Sequence, residues 1–248
     1  MAEVVKELLP KRWNSGHLNI HSFGKAEGVF IKSQVQSNMT AMVSHELKNS
    51  IASVRGLLEI LAKRDGKCEC KEHFNIMVTE LDRAKLMLDE YSELVSKRPV
   101  KMCLNDLNEI LRTFYPLVDA KAIQTDKKVW LELGDIPKVY VNDRDIFKLI
   151  TNLANNGLES MEPGGQLFIK TYLDGDDVVL MVKDQGKGIE QRVLDNLGTP
   201  FLTTKQEGTG LGLLVCMNII ERQSATFKIE TGSNGTTFFV YFKSTEHY

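Results

Sequence analysis

Residues 42–49 read Met42-Val43-Ser44-His45-Glu46-Leu47-Lys48-Asn49 and lie inside a long amphipathic pattern. The apolar positions of this pattern have gaps of three and four, which fit a helix and no strand; they are Val35, Met39, Val43, Leu47, Ile51, Val54, Leu58 and Leu61. At roughly 100° per residue, His45 lies about 200° around the axis from Val43, so its imidazole is expected to face water. Taken alone, this pattern indicates a surface histidine without a role. Motifs further along the chain make His45 a candidate functional residue.

Size and composition are those of a water-soluble protein. The chain has 248 residues, enough for two small domains or one large one, with 42% hydrophobic and 26% charged residues. A net charge of -2 gives no electrostatic reason to expect a nucleic-acid partner. No apolar run approaches the roughly 18 residues of a membrane span. We therefore expect a cytoplasmic protein, or the cytoplasmic portion of a membrane-anchored sensor.

The N-terminal half predicts a helical hairpin. The helix that carries His45 is expected from about Ser33 to Arg64, ending at Asp65-Gly66, and a second helical pattern runs from Phe74 to Val95. Each helix has an apolar face, and a lone hairpin cannot cover both. The physical expectation is a homodimer whose paired hairpins form a four-helix bundle. We assign residues 35–98 to this domain and residues 1–34, which show no sustained period, to a lead-in of unknown role.

The pattern changes after Pro99, so residues 99–104 are assigned to a linker and residues 105–248 to a second domain. Helices are expected at about 105–120, 143–161 and 209–222. Strands are expected at 128–133 and 138–141, and in two hairpins, 166–173 with 178–183 and 226–230 with 236–242. The hairpins turn through Asp174-Gly175 and Asn234-Gly235. Helices interleaved with antiparallel hairpins predict an α+β sandwich with one sheet covered by helices.

Three stretches of this second domain are typical of a phosphate-binding site. Lys148, Asn152 and Asn156 share one helix face, and carboxamide oxygens suit Mg²⁺. Asp184-Gln185-Gly186-Lys187-Gly188 places an acid at a strand end, where it could accept from an exocyclic amine such as that of adenine. Gly208-Thr209-Gly210-Leu211-Gly212-Leu213 opens a helix whose free N–H groups favour a phosphate. A solvated face and plain turns are the simpler interpretations of each stretch alone.

Between the two glycine stretches lies Thr199-Pro200-Phe201-Leu202-Thr203-Thr204-Lys205, which shows poor periodicity. We interpret it as a mobile lid with Phe201 as its anchor and Lys205 as a candidate phosphate contact.

Together these stretches resemble, in order and spacing, the signature boxes of sensor histidine kinases of bacterial two-component signalling. The resemblance runs from about residue 35 to the C-terminus, and the boxes are also similar to those of kinases from sporulating Gram-positive bacteria. The matching boxes are Ser44 to Asn49 for the phosphoacceptor, Asn152 to Asn156 for the asparagine box, Asp184 to Gly188 and Gly208 to Leu213 for the glycine boxes, and Thr199 to Lys205 for the phenylalanine box.

The resemblance implies a dimerisation and histidine-phosphotransfer hairpin followed by a Bergerat-type (GHKL) ATP-binding domain. It implies ATP-dependent phosphorylation of His45, with Glu46 as its base or orienting partner and Asn49 assisting dephosphorylation of the partner regulator. ATP and Mg²⁺ are the implied cofactors, and Asn156 is the implied metal ligand. The residues implied to bind the nucleotide are Asn152, Asn156, Asp184, Gly186, Gly188, Thr204, Lys205, Gly208, Gly210 and Gly212.

The implied partners are a second copy of the chain, the receiver domain of a response regulator, and a small protein that inhibits the bundle. Three positions depart from the family pattern. Ser50 replaces a common proline, Gly157 replaces the usual alanine and weakens its helix by about 1 kcal/mol, and Glu159 replaces a basic residue found in some branches. Two alternatives stay open: an ATPase of the same fold that works as a conformational machine, and a degenerate kinase that acts as a binding module.

Overall fold

The computed structural model describes residues 19–23, 47, 49, 51–58, 60, 71–95, 100–197, 199–203 and 208–244. The predicted acceptor His45, its neighbour Glu46 and the lid residues Thr204 and Lys205 lie outside these ranges. Within the described ranges, no helix is both long enough and apolar enough to cross a membrane.

Two helices represent the predicted hairpin. The first, α1, is described as helical at residues 51–58, and the second, α2, spans Lys71–Val95. The second helix is thus confirmed, whereas the predicted turn at Asp65-Gly66 lies outside the described residues. One face of α2 is buried and contains Met77, Ala84 and Met87. A different face, formed by Phe74, Val78, Leu81 and Leu88, is about half exposed.

The second part of the chain is built on a six-stranded sheet. Its strands are β1 Asn19–Phe23, β3 Lys128–Leu133, β5 Gln166–Asp174, β6 Asp177–Lys183, β7 Thr226–Gly232 and β8 Gly235–Lys243. They lie in the order β1-β7-β8-β6-β5-β3. β3 and β5 run parallel, and the other four neighbouring pairs are antiparallel. Both predicted hairpins are present, with strand ends shifted by one to two residues.

Three helices pack with this sheet around one hydrophobic core: α3 Leu107–Gln124, α4 Asp143–Ser160 and α6 Gly212–Arg222. A short fourth helix, α5, spans Gln191–Leu194. The apolar face predicted for α4 is buried, with Ile146, Leu149 and Ile150 fully inaccessible to solvent. Because that face is held by the core, the opposite face of α4 is left for polar side chains. The α+β class and the helix-covered sheet are confirmed.

Two predicted boundaries are wrong. Cys103 and Leu104, the last two residues assigned to the linker, belong to a strand, β2 Cys103–Asn105, which pairs with β4, Val139–Val141, in a separate two-stranded sheet. The helix expected from about Asn105 begins at Leu107, because the side chain of Asp106 caps it by accepting from the N–H groups of Asn108 and Glu109. Such a long-range strand pairing leaves no local periodicity to read.

The N-terminal lead-in, residues 1–34, contains a strand that the sequence did not predict. Asn19–Phe23 forms β1, which pairs antiparallel with β7 and adds an edge strand to the main sheet. The strand was missed because an edge strand depends on backbone pairing with a partner about two hundred residues away, and the five residues lack an alternating pattern.

Candidate functional site

A cavity of about 530 Å³ opens where α4, the loop after β6, the start of α6 and helix α2 meet. Asparagines, an aspartate and glycines from the predicted motifs line it, together with residues that no motif indicated. The predicted residues at the cavity wall are Asn152, Asn156, Asp184, Gly188, Gly208, Gly210 and Gly212. Three stretches that are separated by up to about sixty residues in sequence therefore border one space.

Helix α4 supplies the two asparagines from its polar face. The side-chain N–H of Asn152 donates to the backbone carbonyl of Gly212 at 3.4 Å, which ties α4 to the first turn of α6. Asn156, one turn later, lies at the wall of the same cavity. Lys148 shares the predicted face but points elsewhere, since its ammonium group donates to Glu93 of α2 at 3.0 Å. On this face of α4, Asn152 and Asn156 therefore border the cavity, whereas Lys148 contacts helix α2.

Asp184 follows the last residue of β6 and is 5% exposed. Its Oδ1 atom accepts from the backbone N–H groups of Gly186 at 2.8 Å and Thr236 at 3.1 Å. A carboxylate held by two backbone donors keeps a fixed orientation. The side chain therefore presents a rigid acceptor to the cavity.

Gly186 is the exception among the predicted binding residues, because it does not line the cavity. A Cβ atom at this position would overlap the Oγ atom of Ser160. The lack of a side chain lets the loop after β6 pack on the end of α4, so Gly186 shapes the wall from behind. Ser160 itself lines the cavity, and sequence reasoning did not find it.

The second glycine stretch forms the start of α6, which begins at Gly212 and not at the predicted Thr209. Gly210 has a φ of +68°, a left-handed conformation that cannot continue into a helix at low cost. No described side chain caps α6. Its first N–H groups and the positive end of its dipole are therefore left at the cavity wall, as an anion site requires.

The lid contributes Phe201, which has the unusual φ of +64° for a residue other than glycine. Phe201 is half-buried and packs against Leu211 and Leu214 of the α6 region, the two residues against which Tyr91 and Leu94 of α2 also pack. Leu202 and Thr203, the next two residues, line the cavity. The predicted role of Phe201 as the anchor of this stretch is consistent with these contacts.

Helix α2 provides two cavity residues, Leu86 and Glu90, that sequence reasoning missed. The hydroxyl of Thr209 donates to Glu90 at 2.5 Å. Burial raises the pKa of Glu90, and the hydrogen bond from Thr209 offsets part of that rise. Nothing in the sequence could have placed them there, because the contact depends on how the two domains dock.

Asn49 lies in a helical, exposed position of the hairpin and does not line the cavity. His45, Glu46, Thr204 and Lys205 are outside the described residues, so the structure does not locate them.

The donor set of the cavity suits a hard cation. Asn152 and Asn156 offer neutral amide oxygens and Glu159, one turn after Asn155, offers a carboxylate at the same wall. Mg²⁺ prefers such oxygen ligands and usually keeps phosphate oxygens in its shell. The residues therefore fit the ion that the resemblance implies, with few protein ligands and a phosphate-bearing substrate.

Comparison with known proteins matches both parts of the chain. The family model described as "Histidine kinase-, DNA gyrase B-, and HSP90-like ATPase" matches residues 141–246, and that of the "His Kinase A (phospho-acceptor) domain" matches residues 35–99. Sporulation kinase C of Bacillus subtilis (strain 168) is 31% identical over 84% of this chain and 49% of its own length. Sensor histidine kinase ZraS of Escherichia coli (strain K12) is 30% identical over 82% of this chain and 44% of its own length.

The fold is that of solved histidine kinases. The structure of histidine kinase ThkA in complex with response regulator protein TrrA superposes with a TM-score of 0.73 at 22% identity, covering 98% of this chain and 82% of that one. Histidine kinase AdeS of Acinetobacter baumannii gives a TM-score of 0.66 at 20% identity, covering 82% of this chain and 98% of that one.

The sandwich with its asparagine helix and glycine-rich helix start defines the class of histidine kinase-, gyrase B- and HSP90-like ATPases. With the phospho-acceptor hairpin in front of it, the chain belongs to the histidine kinase family. It spans about half or less of the length of the curated relatives that it matches.

Proposed function

We propose that this chain is a protein-histidine kinase that phosphorylates His45 with ATP and passes the phosphoryl group to an aspartate of a response regulator. The observation that carries the proposal is the cavity itself. It brings the asparagine helix, the buried Asp184 and the uncapped start of α6 to one wall, on a chain whose first domain matches a phospho-acceptor model.

Asp184 would bind the adenine. Its Oδ1 atom already accepts two backbone N–H groups, so its second oxygen is the acceptor suited to the exocyclic amine of a purine. Gly188, which lies in the same loop and lines the cavity, would let the backbone approach the base. Gly186 would act by keeping this loop packed on Ser160.

The phosphates would lie at the start of α6. Gly208, Gly210 and Gly212 leave backbone N–H groups accessible at the positive end of the helix dipole, with Thr204 and Lys205 of the lid as further candidates. Asn156 would hold Mg²⁺, with Asn152 nearby, and the bound ion would offset the charge of the triphosphate.

His45 would attack the γ-phosphorus in line, through a neutral imidazole nitrogen, and the bond to the leaving ADP oxygen would break. Glu46 would accept the N–H of the other ring nitrogen and stabilise the imidazolium that forms. Asn49 follows one turn later on the same helix, where it could orient a water that removes phosphate from the regulator. Because His45 belongs to the hairpin domain, its phosphorylation would need the ATP domain to approach it.

The domain limits and partners belong to the same proposal. We take residues 35–98 as the dimerising hairpin and the chain from β2 onward, with strand β1 added to its sheet, as the ATP domain. The exposed apolar stripe of α2 supports a homodimer with a four-helix bundle. The receiver domain of a response regulator, and a small protein inhibitor, are the proposed partners of that bundle, in the cytoplasm.

Incubation with γ-labelled ATP and Mg²⁺ tests the proposal. We expect wild-type protein to acquire a label that is lost in acid and stable in base, as a phosphorylated imidazole is, and His45→Gln to acquire none. His73→Gln, which changes the same residue type on α2, is the matched control and should label normally.

The alternatives give different results. Hydrolysis of ATP with no labelled protein would favour an ATPase that works as a conformational machine. Neither label nor hydrolysis, in protein that is folded, would favour the binding-module interpretation and overturn the proposal.

A further inference from the structure

Glu90 is a buried carboxylate from the hairpin domain at the wall of a cavity that belongs to the ATP domain. It is 7% exposed and lies on α2, one turn after Leu86, the other α2 residue at the cavity. A buried carboxylate is costly unless it is paired or hydrogen-bonded, so its position needs a physical reason.

The contacts of Glu90 supply that reason. Its Oε2 atom accepts from the Thr209 hydroxyl at 2.5 Å, and its Oε1 atom lies 3.5 Å from where a Cβ of Gly212 would be. Gly212 is the first residue of α6, a helix that no described side chain caps. The Glu90 carboxylate is therefore held beside the first residue of α6, near the end of the helix where the dipole favours negative charge.

A second set of contacts docks the same part of α2. Glu93 accepts from Arg222 at 2.5 Å and from Lys148 at 3.0 Å, and Arg222 also pairs with Asp145 at 3.0 Å. Burial alone would raise the pKa of Glu93, but its hydrogen bonds from Arg222 and Lys148 hold the pKa below its ordinary value.

An apolar contact joins the two polar ones. Tyr91 and Leu94 of α2 pack against Leu211 and Leu214, as Phe201 also does. The docked state is thus stabilised by ion pairs at Glu93, by this apolar cluster, and by the hydrogen bond that Glu90 accepts. Glu90 differs from the rest because it alone of these α2 residues lines the cavity.

We propose that Glu90 is an intramolecular competitor of the nucleotide phosphates, so that docking of α2 on the ATP domain and binding of a triphosphate at the start of α6 oppose each other. The inference rests on the proposed function, since it needs the phosphates of ATP at α6. Two anions cannot share one helix start without repulsion in a partly desolvated cavity. By linkage, ATP that displaces Glu90 also weakens the docking of the ATP domain on α2, which favours the domain movement proposed for phosphorylation of His45.

Nucleotide titration of the full chain tests the competition, with Glu90→Gln compared to wild type. Gln keeps the size and an acceptor for Thr209 but removes the charge. We expect Glu90→Gln to bind ADP with Mg²⁺ about tenfold more tightly than wild type does and to bind adenosine, which has no phosphate, with unchanged affinity. Asp89→Asn makes the same change on an exposed position of α2 and should leave both affinities as they are.

Equal ADP affinities for wild type and Glu90→Gln would overturn the inference, as would an equal gain for adenosine, which would indicate a general opening of the cavity. Failure of both proteins to bind either ligand would overturn the proposed function and the inference with it.

Hydrogen exchange of the wild-type chain gives a second readout that needs no variant. Added ADP with Mg²⁺ should speed exchange in residues 86–95 of α2 while it slows exchange at the start of α6. Slower exchange in both segments would mean that nucleotide and docking cooperate, contrary to the inference.

Discussion

Asp184 combines a structural role with a proposed recognition role in one carboxylate. One oxygen accepts the N–H groups of Gly186 and Thr236, and this pair of bonds fixes the loop after β6 against the β7–β8 hairpin. The other oxygen is proposed to accept a hydrogen bond from the exocyclic amine of adenine. The two roles can be separated, because an amide keeps one oxygen acceptor and replaces the other with a donor.

We therefore expect Asp184→Asn to fold normally and to lose nucleotide affinity by at least about tenfold, since a donor would face the amine of adenine. Calorimetric titration with ADP measures this. Asp174→Asn is the control, because Asp174 is exposed at the turn of the β5–β6 hairpin, at the other end of β6 from Asp184. Unchanged ADP affinity in Asp184→Asn would remove Asp184 from the base site.

Gly157 weakens helix α4, and the packing around it explains why a glycine occupies this position. Glycine weakens a helix by about 1 kcal/mol relative to alanine. Here, however, a Cβ atom would lie 2.6 Å from the Cδ1 atom of Leu167 and 3.2 Å from the Cβ atom of Asp184. Leu167 is fully buried, so it has little room to move. The glycine lets α4 approach β5 and Asp184 closely.

Gly157→Ala is expected to lower the free energy of unfolding by about 1 kcal/mol, because overpacking of about 1–3 kcal/mol exceeds the gain in helix propensity. Denaturant unfolding measures the effect. Leu167→Val removes the obstructing methyl group and should cost less stability when combined with Gly157→Ala than it does in wild type. A stabilised Gly157→Ala protein would show that the core yields there.

At the scale of elements, the start of α6 depends on the conformation of one glycine. At Gly210 the φ is +68°, and a Cβ atom would lie 2.5 Å from the carbonyl carbon of Phe201. At Gly212 the nearest heavy atom to an added Cβ is 3.5 Å away. The two glycines of one motif are therefore under different constraints: a side chain at Gly210 would be strained and would clash, whereas one at Gly212 would make only an ordinary van der Waals contact, with Glu90.

Gly210→Ala should lower the melting temperature of the ATP domain, through both left-handed strain of about 1–2 kcal/mol and the clash with Phe201. Gly212→Ala should leave the melting temperature unchanged or slightly raised, as alanine favours a helix. Calorimetry of the two variants measures these melting temperatures. Equal melting temperatures would mean that the lid moves aside without cost.

The elements also show what the sequence could reveal. Periodicity predicted α2, α4 and β3 closely because one face of each is buried, and a buried face imposes its period on the sequence. It missed β1 and β2, whose pairing partners lie far along the chain. The order of the motifs, and not periodicity, placed Asp184, Asn152 and Asn156 at one cavity. The position of Glu90 at that cavity depends on how the two domains dock, and docking leaves no motif in the sequence.

At the scale of the whole molecule, α2 keeps an apolar stripe exposed among the residues that the structure describes. Its stripe of Phe74, Val78, Leu81 and Leu88 is 47–55% exposed, while Met77 and Met87 on another face are buried. Exposed apolar stripes of this kind mark an interface. The stripe therefore supports the proposed homodimer.

Leu81→Arg is expected to convert the dimer to a monomer, because it places a charge in the middle of the stripe. Light scattering after size-exclusion chromatography measures the mass. Thr79→Arg adds the same charge on an exposed position outside the stripe and should remain dimeric. A dimeric Leu81→Arg protein would place the interface elsewhere.

ATP bound in the cavity is proposed to phosphorylate His45. The most direct test is to locate the phosphoryl group by electron-transfer fragmentation of the chain after incubation with ATP and Mg²⁺ at alkaline pH, in wild type and Asp184→Asn. We expect phosphate on His45 in wild type and none, or far less, in Asp184→Asn. Phosphate on another residue such as His73, or equal modification in both proteins, would contradict it.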